Sequence, residues 1–434
     1  MRFHETPAQV AQLLARHVPR SSRTVLDPAV GQGALLLPIV SRLCDGASAV
    51  CVDTDPEVLA VARTKLAGTV QTLDCVHGNF LEAVLSSPKL RSRKFDCVVM
   101  NPPYGAKKTE WSECDLSSLG SAARMYLPKE LAFALRAVEC LNDGGRLLAV
   151  LPGSMVSSGV LAKFRGCLGV AGKFHYVHEL PKFTFPGVEG RVYLVVFEKG
   201  RANSQIELRN HDLLQPHCMR VRWNELGTGR RLDFGYHHSR QWLAKLVAAH
   251  PRLEWRPLSE LAEIQRGPRK SPRGARVALH TTDCEAGLWR VRVGHREAGM
   301  KSRIASSDLF VARVGRSCFS TLGPLVEFRP VSWSDCVFRL RATGAVADSL
   351  SLLLSLRLVT GMPAASQMIE RGVGATYITE NELGSLYIPT QLGRAYPRLT
   401  EAYAQAAKAG DAAGMRLLEA RMRSILVRPV GQLE

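Results

Sequence analysis

The chain has 434 residues, of which 46% are hydrophobic, enough for two or three globular domains, and this composition excludes a disordered protein. Its 57 Lys and Arg against 39 Asp and Glu give a net charge of +18, divided into +5 for residues 1–200 and +13 for residues 201–434. An excess of this size is typical of a chain that binds a polyanion such as nucleic acid, although solvated basic surfaces give the same count.

The cysteines and the apolar runs indicate the compartment. No CxxC pair occurs among the eleven cysteines, so neither a zinc site nor a disulfide framework is indicated. Residues 1–20 contain no apolar h-region, and the apolar runs of the chain are far shorter than a membrane span. We therefore expect a bacterial cytoplasmic protein with buried thiols, no bound metal and no membrane contact.

Strand and helix patterns alternate through residues 1–200, which predicts an α/β domain, a parallel sheet with helices on both faces. A helix over residues 5–18, capped by Thr6 and with Pro7 at its first position, precedes the first strand. The predicted strands are Thr24–Leu26, a strand that ends at Asp53, Asp74–Val76, Phe95–Met100, Arg146–Leu151, Phe174–Leu180 and Val192–Glu198. Two further helices are predicted, one from Ala34 and one over Leu127–Leu141.

The ends of the first two strands have the features of a nucleotide-type ligand site. Asp27 leads into a glycine turn, in which Gly31 and Gly33 let the backbone approach a ligand and expose its N–H groups. Asp53 ends the second strand, where an acidic residue can bind ribose hydroxyls or cap the next helix. Asp55 fits the capping role better. Gly-x-Gly alone is weak evidence for such a site.

The fourth predicted strand stops at Asn101, because Pro102 and Pro103 cannot donate hydrogen bonds to a sheet ladder. The amide oxygen of Asn101 and the carbonyl of Pro102 can each accept one hydrogen of an exocyclic amine, so that its nitrogen can attack a methyl sulfonium. Tyr104 offers a flat face to a base. This turn suits methylation of adenine, although a chance proline turn gives the same four residues.

Asn79 and Phe80 close the third strand, where Asn79 can meet the adenine edge of a cofactor or belong to a plain turn. The chain resembles the TaqI-like γ-type adenine-N6 DNA methyltransferases through four segments in this order: Asp27-Pro28-Ala29-x-Gly31-x-Gly33, Asp53, Asn79-Phe80 and Asn101-Pro102-Pro103-Tyr104. The resemblance covers residues 1–200 and includes Phe185-Pro186. It implies a Rossmann-like fold that binds S-adenosylmethionine.

The resemblance also assigns residues to sites. Those that it assigns to S-adenosylmethionine are Thr6, Pro7, Asp27, Pro28, Ala29, Gly31, Gly33, Asp53, Thr54, Asn79, Phe80, Asn101 and Pro103. Those that it assigns to catalysis are Asn101, Pro102, Pro103 and Tyr104. The family usually has an acidic residue at the position of Asn79. Because an amide oxygen still accepts a hydrogen bond, we expect cofactor binding to survive.

Base extrusion follows from geometry, since a stacked adenine cannot bring its amine to a buried sulfonium. Extrusion costs a few kcal/mol, and aromatic faces worth roughly 1–3 kcal/mol per stacked base can offset this cost. By the resemblance, Tyr104 and Phe185 stack on the extruded base. The alternative for Phe185 is ordinary core packing.

Residues 201–256 are predicted to be a connector and residues 257–434 a second, α+β domain with helices over residues 350–371 and 395–427. Segments such as Pro257–Leu261 and Asp308–Gly315 resemble the target-recognition domains of TaqI-like enzymes and of type I restriction specificity subunits. Residues 261–330 hold 13 Arg and Lys against 6 Asp and Glu, and their loops can pair phosphates or read guanine edges. For any single arginine, contact with phosphate or solvent alone is the more common case. The candidate DNA-binding residues are Lys107, Lys108, Lys182, Arg266, Arg269, Lys270 and Arg273.

These patterns predict a sequence-specific adenine-N6 methyltransferase that acts on double-stranded DNA as a monomer. It would serve restriction–modification or epigenetic marking, with a separate restriction endonuclease as a possible partner. One alternative is a methyltransferase for RNA or for a protein glutamine, which can use the same turn; the basic second domain disfavours glutamine. The other is a DNA-binding regulatory protein with a vestigial catalytic half, against which the intact turn argues.

Overall fold

A computed structural model of the protein describes residues 5–87, 90, 92–105, 110–187, 190–202, 204–227, 229–268, 278–290, 304–326, 332–344, 348–371 and 376–431. The chain divides into two compact units, Met1–Phe234 and Gly235–Glu434. Each unit has hydrophobic cores of its own, and each is described separately below.

The first unit is built on a sheet of nine strands. Its strands, with the separate hairpin β5–β6, are β1 (Thr24–Asp27), β2 (Ser48–Asp53), β3 (Thr72–His77), β4 (Phe95–Met100), β5 (Ser112–Asp115), β6 (Arg124–Leu127), β7 (Leu141–Pro152), β8 (Gly172–Glu179), β9 (Val192–Lys199), β10 (Gln205–Arg209) and β11 (Cys218–Arg222). The sheet order is β11-β10-β8-β9-β7-β4-β1-β2-β3. All seven predicted strands occur, and β10 and β11 lie in the range that the sequence assigns to a connector.

Most neighbouring strands of this sheet are parallel, which confirms the predicted α/β class. Strands β3, β2, β1, β4 and β7 pair in parallel. Strand β9 runs antiparallel to both β7 and β8, so that β8 points in the same direction as β4. The carboxyl ends of β1, β2, β4 and β8 therefore meet at one edge of the sheet.

Helices cover both faces of this sheet. They are α1 (Ala8–Ala15), α2 (Leu37–Val40), α3 (Pro56–Leu66), α4 (Phe80–Ser86), α5 (Lys129–Glu139), α6 (Gly153–Ser157) and α7 (Ala162–Ala171). Alternate residues of β4 enter different cores: Val98 packs with α5 and α7 on one face, and Cys97 and Val99 pack with α1 to α3 on the other. This alternation follows from the two-residue period of a strand.

Two local predictions for the first unit are wrong. The helix expected from Ala34 begins only at Leu37 and has four residues, since Pro38 lacks an N–H and suits only the first turn of a helix. Thr6 does not cap α1; Pro7 is its N-cap residue, and no side chain makes a capping hydrogen bond there. The Thr6 hydroxyl is used elsewhere, as described below.

The last part of the first unit is connected to helix α7 by a buried arginine. Arg165, in α7, is fully buried. Its guanidinium donates to the carbonyls of Arg230 (2.7 Å), Met155 (3.1 Å) and Gly229. The segment that follows β11 thus supplies two carbonyl acceptors to this buried charge.

The second unit mixes helices with short, mainly antiparallel strands, as expected for an α+β domain. Its helices are α8 (Phe234–Ala249), α9 (Leu258–Leu261), α10 (Ser349–Thr360), α11 (Pro363–Ile369), α12 (Glu380–Gly384), α13 (Leu392–Ala395), α14 (Pro397–Lys408) and α15 (Ala412–Val427). Its strands are β12 (Trp255–Pro257), β13 (Ala262–Arg266), β14 (Ala278–Leu279), β15 (Cys284–Glu285), β16 (Leu288–Trp289), β17 (Leu309–Ala312), β18 (Val314–Gly315), β19 (Gly323–Pro324), β20 (Ser332–Trp333), β21 (Val337–Ala342), β22 (Thr376–Tyr377) and β23 (Tyr387–Pro389). The largest of its sheets has the order β13-β21-β17-β19 and packs against α10.

Three further observations concern partners and chemistry. All eleven cysteines are free. Within the described ranges, no group of three or more His, Cys, Asp or Glu side chains could hold a metal ion. Of the helices described, none by itself has the length and apolar character to cross a membrane; the bent pair Ser349–Thr360 and Pro363–Ile369 meets that test only when taken together.

Candidate functional site

A cavity of about 620 Å³ opens at the sheet edge where β1, β2 and β4 end. This volume lies in the range typical of sites for small ligands. The predicted site residues on its wall are Thr6, Pro28, Ala29, Gly31, Asp53, Thr54, Asn79, Phe80, Asn101, Pro102, Pro103, Tyr104 and Phe185. Thirteen predicted residues, drawn from six separate segments of the chain, are thus brought together around one cavity.

Asn101 stands at the end of β4, and its amide is fixed by a residue far away in the sequence. Its Nδ2 donates a hydrogen bond of 3.0 Å to Oγ1 of Thr6, which lies just before α1. No described residue donates to Oδ1 of Asn101 or to the carbonyl of Pro102. The amide nitrogen is therefore engaged, while two oxygens at the turn keep their capacity to accept hydrogen bonds.

The other end of the turn is fastened by Glu130, in the first turn of α5. The backbone N–H of Gly105 donates to Oε2 of Glu130 at 3.0 Å. Burial raises the pKa of Glu130, and the hydrogen bond from Gly105 opposes this rise. Since Thr6 holds Asn101 and Glu130 holds Gly105, the turn is held at both ends by elements outside β4.

Tyr104 lies between these two fastenings. Its hydroxyl donates to the carbonyl of Val150 in β7 at 3.4 Å. Burial raises the pKa of Tyr104 well above its usual value, and the nearby carboxylate of Glu130 adds to the rise. The side chain is therefore an uncharged phenol at any physiological pH, and it presents an aromatic surface to the cavity.

The glycine turn and the second strand are joined by the carboxylate of Asp53. Its Oδ2 accepts from Gly31 N–H at 2.8 Å, and its Oδ1 accepts from Asp55 N–H at 3.0 Å. Asp55 caps α3, as predicted, by accepting from the N–H groups of Glu57 and Val58. Each carboxylate oxygen of Asp53 retains a second lone pair, so binding of a ribose remains compatible with both bonds.

Asn79 has a structural role in addition to its place on the cavity wall. Its Oδ1 accepts from Leu81 N–H at 3.2 Å and so caps α4. Its Nδ2 donates to Oε1 of Glu82 at 2.9 Å. The alternative of a plain turn therefore describes part of what Asn79 does, and the predicted contact with a cofactor would use its remaining capacity.

Pro7, Asp27 and Gly33, assigned to the cofactor by the resemblance, do not line the cavity. Gly33 has φ +84°, a conformation that favours glycine, and lies against Ala62 in α3. Asp27 is only 1% exposed; its Oδ1 accepts from Ala29 N–H at 3.0 Å, and its Oδ2 has no hydrogen-bond partner among the described residues. Each of these residues is next in sequence to a residue that lines the cavity.

The unpartnered oxygen of Asp27 allows a test of whether S-adenosylmethionine fits here. Burial raises the pKa of Asp27 to about 8, and the charge of Asp53 adds to this, while the Ala29 hydrogen bond opposes it. A ligand that carries positive charge would be attracted to the carboxylate of Asp53 and would favour the ionised form of Asp27, which burial opposes. S-adenosylmethionine has a sulfonium and an ammonium group, so the residues present fit it.

Phe185 belongs both to the core and to the cavity wall. It lines the cavity, but it is only 4% exposed and packs in the core cluster that contains Leu180 and Val192. Core packing is therefore a part of its role, and stacking on an extruded base stays a prediction.

Sequence reasoning missed several residues of the site. Lys129 and Phe133, from α5, line the cavity, as do Val30, Gln32, Leu35, Val58 and Gly187. Glu130 was also missed. An acidic residue in the first turn of a helix is so common that it gave no specific signal.

The predicted DNA-binding residues are only partly described. Lys182 is exposed. Arg266 ends β13, where its Nη2 contacts Oδ2 of Asp335 at 3.0 Å and its Nε donates to the Asp335 carbonyl at 3.2 Å. The remaining N–H groups of this guanidinium can still reach a phosphate or base. Lys107, Lys108, Arg269, Lys270 and Arg273 lie outside the described residues.

The sheet, its glycine turn and the Asn101–Tyr104 turn define a Rossmann-like methyltransferase domain. The chain belongs to the N-6 DNA methylase family, whose profile matches residues 3–220 and thus half of the sequence. Among curated proteins, none matches the chain.

Solved structures similar to this chain include three from restriction systems. A modification subunit of a type I restriction enzyme from Vibrio vulnificus is 16% identical with a TM-score of 0.43, over 53% of this chain and 58% of that one. A type I methyltransferase subunit from Streptococcus thermophilus is 20% identical with a TM-score of 0.40, over 48% of each chain. The type IIG restriction endonuclease BpuSI is 13% identical with a TM-score of 0.49, over 97% of this chain and 65% of that one. This chain thus spans about half to two thirds of these relatives.

Proposed function

We propose that this protein is a DNA methyltransferase that uses S-adenosylmethionine to methylate N6 of adenine in double-stranded DNA. The main support for this proposal is the hydrogen-bonding capacity of two oxygens in the turn at the end of β4. Asn101 Oδ1 and the Pro102 carbonyl have no donor among the described residues, and both residues line the cavity. Membership of the N-6 DNA methylase family supports the same assignment.

S-adenosylmethionine, when bound, supplies a methyl group activated by the adjacent positive sulfur. The residues proposed to hold it are Thr6, Pro28, Ala29, Gly31, Asp53, Thr54, Asn79 and Phe80 from the cavity wall, with Asp27 next to Pro28 in the sequence. The carboxylate of Asp53 places negative charge beside this cationic ligand, and the ligand's charge in turn favours ionisation of the buried Asp27. The Gly31 backbone, turned into the left-handed region at φ +54°, lets the chain pass close to the ligand.

The turn at the end of β4 positions the target amine. Asn101 and Pro102 accept the two amine hydrogens, which draws the nitrogen lone pair out of conjugation with the ring. Tyr104, kept neutral by its burial, offers a face on which the extruded adenine can stack. These groups act by hydrogen bonding to the substrate and by positioning it, and none of them forms a covalent bond to it.

We further propose that the second unit reads the DNA sequence, with Arg266 and neighbouring basic residues at the duplex. The chain would act as a monomer on DNA in a bacterial cytoplasm, within a restriction–modification or marking system that can include a separate endonuclease. The solved relatives named above belong to restriction systems, which supports this setting without identifying a partner.

The test is methyl transfer by the full-length protein from tritiated S-adenosylmethionine to DNA, RNA and protein in parallel. We expect label in DNA, and sequencing of the product should place N6-methyladenine within one motif. Label in RNA or protein alone would contradict the proposal.

Asn101→Ala should lower the rate at least a hundredfold, as expected when a hydrogen-bonding group that acts in the transition state is lost, and leave cofactor affinity within a few-fold. Asn224→Ala is the matched control, since this exposed asparagine follows β11 at the opposite edge of the sheet. Undiminished activity of the Asn101 variant would refute its assigned role.

A further inference from the structure

The connection between β8 and β9 presents an aromatic ring in an unfavourable backbone conformation. Phe183 is 74% exposed, and its φ is +64°, in the left-handed region that side chains other than glycine rarely adopt. It is the only aromatic among the five described non-glycine residues with positive φ. The chain thus bears a conformational cost without burying the ring against itself, which points to a contact outside the chain.

The turn that contains Phe183 is fixed by its neighbours. The hydroxyl of Thr184 donates to the Pro181 carbonyl at 2.7 Å, and the Thr184 N–H donates to the same oxygen at 3.3 Å. Phe185, two residues after Phe183, is buried in the core. The exposed ring is therefore held on a fastened segment between a hydrogen-bonded turn and a buried side chain.

The connection between β8 and β9 lies near the candidate active cavity. Because β8 points in the same direction as β4, the connection leaves the sheet at the edge that holds Asn101. Phe185 and Gly187 line the candidate active cavity, and the Cα atom of Phe183 lies at most about 7 Å from that of Phe185. Exposed Lys182 adds a positive charge beside the ring, suited to a phosphate.

We propose that Phe183 inserts into the DNA base stack at the target site and occupies the space that the extruded adenine leaves. This inference rests on the proposed function. Extrusion exposes the faces of the neighbouring bases, and an apolar ring can cover them, as wedge side chains do in proteins that unstack DNA. Phe185 cannot take this place, because its ring is committed to the core.

The experiment compares methylation of two duplexes that contain the motif found by sequencing. In one duplex the target adenine is paired with thymine, and in the other it stands in an A·C mismatch, where extrusion is cheaper. In Phe183→Ala, the ratio of the single-turnover rate at saturating enzyme on paired DNA to that on mismatched DNA should fall roughly tenfold, within the range that stacking of one base supports, because extrusion from the mismatch stays largely complete without the ring. Phe183→Trp should restore the ratio.

Two controls separate this role from a structural one. Phe183→Gly should show the same loss with a melting temperature no lower than that of the wild type, since glycine relieves the backbone cost. Val170→Ala removes a side chain that is 75% exposed but lies just before β8, at the opposite sheet edge, and should leave the ratio unchanged.

An unchanged ratio in Phe183→Ala, whether neither rate falls or both fall equally, would overturn the wedge while the wild type still methylates DNA. An equal loss on both duplexes would mean that the ring assists a step that does not depend on base pairing. If the wild type transfers no methyl group to DNA, the proposed function fails, and the wedge fails with it.

Discussion

The hydrogen bond between Thr6 and Asn101 gives the sharpest prediction, since it connects a residue before α1 to the reacting turn. We consider Thr6→Val, which replaces the hydroxyl by a methyl group of similar shape at a buried position. The change removes the acceptor for Asn101 Nδ2. The amide can then rotate, and a rotated amide would present N–H donors to the amine in place of its oxygen.

The size of the effect follows from the energy of one neutral hydrogen bond. Such a bond contributes about 0.5–1.5 kcal/mol net, which corresponds to a two- to thirteenfold change in rate if it acts fully in the transition state. We therefore expect kcat to fall by about twofold to tenfold in Thr6→Val. Loss of the acceptor itself, in Asn101→Ala, should cost at least a hundredfold.

The assay is a double-mutant cycle with single-turnover methylation as the readout. If Thr6 acts only by orienting Asn101, adding Thr6→Val to Asn101→Ala should cause no further loss. Thr6→Ser, which keeps the hydroxyl, should remain close to the wild type. Calorimetry with S-adenosylmethionine should give similar affinities for the wild type and Thr6→Val.

Two results would refute this reasoning. Multiplicative losses in the double variant would mean that Thr6 contributes independently of Asn101. A large drop in cofactor affinity with an unchanged single-turnover rate at saturation would mean that Thr6 serves the ligand, as the sequence resemblance suggests, and has no part in orienting the amide.

Two further predictions concern Glu130 and Asp27. Glu130→Ala leaves the Gly105 N–H without its acceptor and should lower kcat about tenfold, whereas Glu130→Gln keeps an oxygen and should stay within about threefold; equal losses would point to the charge of Glu130 and not to its hydrogen bond. Asp27 has a pKa of about 8 when folded against 3.8 as its ordinary value, so the stability that it contributes is complete below pH 4 and is lost as the pH rises to about 8. By thermal melting without cofactor, the melting temperature of Asp27→Asn relative to that of the wild type should therefore be higher at pH 9 than at pH 5; the same difference at both pH values would contradict this assignment.

The sequence predicted those features whose cause is local. The buried strand before Asn101 could be identified from its continuous apolar residues, and its end from the two prolines. The cap at Asp55 followed from an acidic residue directly before a proline at the first helical position. Such strand ends and helix caps can be predicted without knowing the contacts that the rest of the chain makes.

Features that depend on distant partners could not be predicted in the same way. The partner of Asn101 is Thr6, 95 positions away, and the local pattern instead favoured Thr6 as a helix cap. Arg266 likewise meets Asp335, 69 positions later. Propensity describes what a residue can do, and the fold decides which of several partners it meets.

Strand β10 is a different case, because a signal existed. Ile206 and Leu208 are buried and alternate with more exposed residues, a two-residue period typical of a strand. The surrounding polar segment outweighed this short pattern. The two phenylalanines at positions 183 and 185 could not be told apart from the residue pattern, because the turn conformation at Phe183 and the packing of the core decide which ring is buried.

The buried guanidinium of Arg165 has a consequence for dividing the protein. An isolated catalytic fragment that stopped after β9, where the recognisable methyltransferase motifs end, would lose the carbonyls of Gly229 and Arg230, which accept hydrogen bonds from this buried cation. A buried charge that loses such acceptors costs several kcal/mol, so this shortened fragment should aggregate or unfold. A fragment that continues through Phe234 keeps the charge satisfied and is the smallest piece that we expect to be soluble on its own.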